Sequence, residues 1–124
     1  MSQENSLSTI EKVLFLKSID LFAQAAIEDL GRIAALTAEV RFKAGETIFR
    51  QGDLVDAIYF VVQGLVAVQR DGQRLRQVGA KEAFAVVAAL DQEPAAHMAS
   101  AIEPVHALKL NAQDFHDTLA LDYE

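Results

Sequence analysis

The sequence predicts a mainly β domain with flanking helices, built as a sandwich or barrel of short antiparallel strands. Three observations predict it. Glycines at positions 45, 52, 64, 72 and 79 punctuate residues 37–110, and between them Val, Ile and Phe alternate with polar residues in short runs. Residues 8–36 instead place apolar residues at helical spacing. A short apolar stretch at 84–90 interrupts the β pattern, and a helix start at residue 111 follows it.

Each element has a local reason. Ser8 and Glu11 have the spacing of a capping box, and Ile10, Val13 and Leu14 follow at helical intervals. The Lys17-Ser18-Ile19-Asp20 segment predicts a break, because Ser and Asp side chains compete for the backbone. Ile27, Leu30, Ile33 and Ala34 mark a second short helix, in which Gly31 is weak but suits close packing. Arg70-Asp71-Gly72-Gln73 predicts a two-residue hairpin between strands at 65–69 and 74–78, since both central residues must take positive φ. Gln63-Gly64 separates a strand at 58–62 from the one at 65–69. Residues 84–90 suit a short helix, Asp91-Gln92-Glu93-Pro94 a turn, and strand character resumes near Met98. Asn111 with Asp114 forms an N-cap pair that places Phe115 and Leu119 on one helix face.

The bulk properties narrow the function. A chain of 124 residues fits one domain, 1–124, with a helical segment at 8–36, a β portion at 37–110 and the start of a helix at 111–124. Lys+Arg is 11 and Asp+Glu is 18, a formal net charge of −7. That balance argues against nucleic-acid binding by this chain alone. There is no Cys, so disulfides, thiolate metal sites and cysteine nucleophiles are excluded. A hydrophobic content of 52% indicates a globular chain. No apolar run approaches the roughly 18 residues that cross a bilayer. The polar start MSQENSLS lacks the regions of a signal peptide, and the expected compartment is the cytoplasm.

One stretch carries a family resemblance. Phe42-Lys43-Ala44-Gly45-Glu46-Thr47-Ile48-Phe49-Arg50-Gln51-Gly52-Asp53 precedes Asp56-Ala57-Ile58-Tyr59-Phe60-Val61-Val62-Gln63-Gly64. This resembles the cyclic nucleotide-binding domain of the catabolite activator and protein-kinase A regulatory subunit superfamily. The likeness runs from about Thr9 to Phe115. It implies an antiparallel β-roll, or double-stranded jelly roll, with N-terminal helices, a short cassette helix and a short C-terminal helix. Gly45, Gly52 and Gly64 fall where tight turns need positive φ. The segment Ile10–Ser18 more loosely resembles versions of the domain joined to helical-repeat or transporter proteins.

The resemblance also implies a ligand site. In the family a cassette of strand end, short helix and loop holds the nucleotide. A Gly and backbone N–H groups approach the cyclic phosphate, a Glu accepts the ribose hydroxyl, and an Arg neutralises the phosphate. Here Ala85 stands at the Gly position and Val86 at the Glu position. Val87 and Ala88 continue the helix. Ala95 stands at the Arg position after Glu93-Pro94, Ala96 follows, and His97 takes a place usually held by a small residue. Losing a bidentate Arg contact removes on the order of 2–5 kcal/mol, a factor of about 30 to several thousand in affinity. The implied module therefore carries no cAMP or cGMP cofactor. Its alanine and valine lining suggests a small apolar or closed pocket.

Other readings follow from other residues. A true sensor would need Lys81, Arg76 and His97 to converge on a phosphate, although Lys81 reads as a solvated loop charge and Arg74 and Arg76 as a strand face turned to water. His97 reads as a partly packed structural residue near the pocket. A DNA-reading helix pair would have to lie beyond Phe115, in a longer regulator. No catalytic constellation is evident: His106 and His116, flanked by Asp114 and Asp117, have no metal-ligand spacing and read as surface residues, and Glu28, Asp29, Glu46 and Asp53 read as solvated acids. Phe15, Leu16, Leu21 and Phe22 are candidates for an exposed apolar face on the N-terminal helices, suited to a protein partner or a homodimer.

Overall fold

The computed structural model describes residues 6–122, with side chains through residue 118. The helical segment comprises α1 (Thr9–Lys17), a 3-10 turn at Asp20–Phe22 and α2 (Ile27–Leu36). Ser8 caps α1 as expected. Its hydroxyl accepts from the Glu11 N–H, and the Glu11 carboxylate accepts from the Ser8 N–H. The break falls at Ser18. Gly31 does not serve close packing, because a Cβ placed there would meet nothing within 4 Å.

Eight strands follow: β1 (Ala38–Phe42), β2 (Thr47–Phe49), β3 (Ala57–Gln63), β4 (Val66–Arg70), β5 (Gln73–Val78), β6 (Ala83–Phe84), β7 (Met98–Ala101) and β8 (Val105–Asn111). They form two four-stranded antiparallel sheets, in the orders β1-β8-β3-β6 and β2-β7-β4-β5. A short helix, α3 (Val86–Asp91), lies between β6 and β7, and α4 (Ala112–Asp122) closes the chain. The hairpin between β4 and β5 turns at Asp71 and Gly72 with φ of 53° and 79°, as its sequence requires. Asn111 caps α4, its Oδ1 accepting from the N–H groups of Gln113 and Asp114. The side chain of Leu119 lies outside the described residues.

Period-two alternation splits the interior into two cores. From β3, Ala57, Tyr59 and Val61 point between the sheets, where Val66, Val68, Val78, Phe84 and Ala107 meet them. Ile58 and Phe60 point the other way, onto Leu16, Phe22, Leu30, Leu108, Leu110 and Phe115 of the helical layer. Leu16 and Phe22 are therefore core residues, at 0% and 5% exposure, and not parts of a surface face. The reason is geometric: helices packed on one outer face of the roll need a stripe of large side chains to fill the interface. Ile10, Leu14, Leu21, Ile27 and Leu36 are the exposed large apolar members of that segment, Ile10 and Leu14 the most so at 73% and 63%, while Phe15 is partly buried against the core.

His106 is also placed differently from the sequence expectation. It is buried on β8, and its Nε2 lies 2.8 Å from Glu39 Oε1 on β1. The second oxygen of Glu39 accepts the Leu7 N–H at 2.9 Å. One carboxylate thus joins the start of the helical segment to two strands. His116 is exposed on α4.

Candidate functional site

The cassette begins at Phe84, buried against Tyr59 with ring centroids 4.9 Å apart and planes 7° from parallel. Ala85 follows with φ 68° and ψ 14°, left-handed backbone at the N-cap of α3. This is the conformation that favours glycine, so the local geometry is kept although the residue is not. The six-residue helix α3 then carries Val86, Val87 and Ala88. It ends at Gln92, again left-handed with φ 57°.

The second half of the cassette is pinned from outside. The Gly52 N–H donates to the Ala95 carbonyl at 2.8 Å, and the Ala95 N–H donates to the Asp53 carbonyl at 2.8 Å. Gly52 has φ 88°, and the Asp53 carboxylate accepts the Arg50 N–H. The glycine-aspartate turn read from the sequence therefore fixes Ala95, which is 5% exposed.

Together these segments enclose a cavity of about 290 Å³. Ala85, Val86, Val87, Ala88, Ala95 and Ala96 all line it, as do Arg76 and His97. Of the two expectations, a small apolar pocket or a closed one, the lining fits the first. Lys81 does not line it. Its backbone N–H donates to Val61 and its side chain is exposed beside the β5–β6 turn. Arg76 faces the cavity while Arg74 does not, and a bulge explains the difference. Val68 pairs with Arg76 and Gln69 with Arg74, so Leu75 is an extra residue that breaks the shared face. Sequence reasoning missed Phe49, Val68, Leu75 and Ala83 as lining residues. Strand alternation held the signal for Val68, but only the pairing of the sheets shows which inward positions meet the cassette.

The lining contains one arginine, one histidine and no carboxylate; everything else is apolar. Among the described residues no group of three or more His, Asp or Glu is placed to hold a metal ion. No helix among them is long and apolar enough to cross a membrane.

The architecture is thus a two-sheet β-roll with a helical layer on one face and a pocket framed by a strand end, a short helix and a pinned turn. Residues 39–122 match the sequence model of the cyclic nucleotide-binding domain family, and the chain belongs to that family. Over 112 residues, 86% of this chain, it is 30% identical to potassium channel KOR1 of Oryza sativa subsp. japonica, of which the match covers 13%. The regulatory domain of Toxoplasma gondii PKA, solved with cAMP, superposes with a TM-score of 0.84 at 24% identity, over 90% of this chain and 45% of that one. The Thermus thermophilus catabolite activator protein gives a TM-score of 0.74 at 28% identity, over 81% of this chain and 49% of that one. The chain spans less than half the length of each of these proteins.

Proposed function

We propose that this chain is a non-enzymatic regulatory or interaction module that keeps the cyclic nucleotide-binding fold and has lost ordinary cAMP and cGMP binding. One observation carries the reading. The cassette folds around a cavity, yet Val86 and Ala95 stand in its wall where the resemblance implies the ribose acceptor and the phosphate clamp, and no lining residue is acidic. A nucleotide entering this space would lose water from its ribose hydroxyls with no acidic acceptor to replace it, and its phosphate would find no arginine at the Ala95 position. Isothermal calorimetry with cAMP and cGMP tests the reading. The expected result is no saturable heat at micromolar nucleotide; micromolar affinity would overturn it.

A second reading, a small-ligand sensor with non-standard contacts, is favoured by the presence of Arg76 and His97 on the same cavity. Lys81 has no part in it. As an interaction module, the domain would meet a protein partner or a second copy through the outer side of α1, where Ile10 and Leu14 lie one turn apart and exposed.

A further inference from the structure

We propose that the cavity takes a small carboxylate with an apolar body, the body against Phe49, Leu75 and Val86 and the carboxylate on the Arg76 guanidinium. This rests on the reading that the cassette no longer clamps a cyclic nucleotide.

Three observations carry it. First, Arg76 has no acidic partner among the described residues, whereas Arg70 on the same hairpin lies 4.0 Å from Asp71 and Arg32 pairs with Asp29. A guanidinium at the mouth of an apolar cavity offers a planar, two-pronged site for a carboxylate. Second, the walls are apolar. Phe49, Leu75, Val86 and Val87 line the space and offer apolar surface to a ligand, while Phe84, 1% exposed and stacked on Tyr59 and Phe49, backs the wall from inside the core. Third, the volume of about 290 Å³ falls just below the roughly 300–1,000 Å³ range of drug-sized ligand pockets, so the ligand is small. A single arginine matches one negative charge. A neutral hydrocarbon would leave it unused, and a sugar would set its hydroxyls against Val86 and Ala95. His97 brings a ring nitrogen to the same cavity as a further hydrogen-bonding group.

The test uses the full chain with phenylacetate and its neutral counterpart phenylacetamide, followed by calorimetry and by methyl NMR shifts at Val86 and Ala95. Phenylacetate is expected to bind saturably and to move those methyl signals. Both the amide and the Arg76→Gln variant are expected to bind about tenfold to a hundredfold more weakly, while Arg74→Gln on the same strand binds as the parent does. Equal binding of acid and amide, or no saturable binding of the acid by a chain that also ignores cAMP, overturns this inference alone. Micromolar cAMP binding that moves the same methyl signals overturns the reading beneath it instead.

Discussion

Ala85 holds a left-handed backbone that costs an L-residue about 1–2 kcal/mol relative to glycine. The strain marks a position whose geometry outlasted its residue. Ala85→Gly should raise stability by about 0.5–1 kcal/mol, after the extra freedom of glycine in the unfolded chain is set against the relief; urea denaturation measures it. Glu39 belongs to the same scale. Burial pushes its carboxyl up, but the Leu7 N–H and His106 more than offset this and hold it below the ordinary value of 4.5. A lowered folded pKa means that the carboxylate's contribution is fully present above the unfolded value and is lost as pH falls through the folded one. Stability measured from about pH 6 down to about pH 3 should therefore fall more steeply in the parent than in Glu39→Gln. Equal slopes would show that the carboxylate does not link these elements. Neither residue was legible in this role from sequence. Ala85 could be aligned but its angle could not be seen, and His106 looked exposed because a lone histidine carries no sign of the partner 67 positions away.

At the scale of elements, most of the fold was readable because its signals are local. The capping box of α1, the Asp71-Gly72 hairpin and the Asn111 cap each depend on residues within a few positions of one another, and each is found where the sequence put it. What could not be read depends on pairing between distant strands. The bulge that separates Arg74 from Arg76 is invisible until β4 and β5 are set in register, and the split of β3 between two cores needs both neighbours in place. Gly64 joins the two kinds of information. Its sequence suggested a turn, and the structure adds a steric demand: a Cβ there would lie 2.3 Å from the Pro104 carbonyl oxygen and 2.8 Å from Val105 Cα, with φ at 106°. Gly64→Ala must therefore move backbone, not a flexible side chain. We expect a loss of about 2–4 kcal/mol, read as a lower urea midpoint, whereas an unchanged midpoint would show that the β3–β4 and β7–β8 turns are free to separate.

For the whole molecule, the opening composition gains a location. Eight of the 21 alanines fall within residues 83–101, and four of them line the cavity between Ala85 and Ala96. The net charge of −7 surrounds a pocket whose single formal charge is the positive one on Arg76. Long-range repulsion and local attraction thus oppose each other for an anion, and added salt should weaken the first more than the second. On α1 the exposed apolar residues are Ile10 and Leu14, whereas Leu16 is buried. If α1 is a contact between copies, sedimentation should show concentration-dependent association that the paired substitutions Ile10→Lys and Leu14→Lys abolish. A monomer at high concentration would dispose of the homodimer. The central claim is that a pocket of the family's shape has lost the family's chemistry, and calorimetry of cAMP binding to a Val86→Glu/Ala95→Arg chain beside the parent tests it most directly. The account predicts saturable binding by the double variant, about 30-fold to several thousandfold tighter than any by the parent; micromolar binding by the parent, unchanged by the two substitutions, would contradict it.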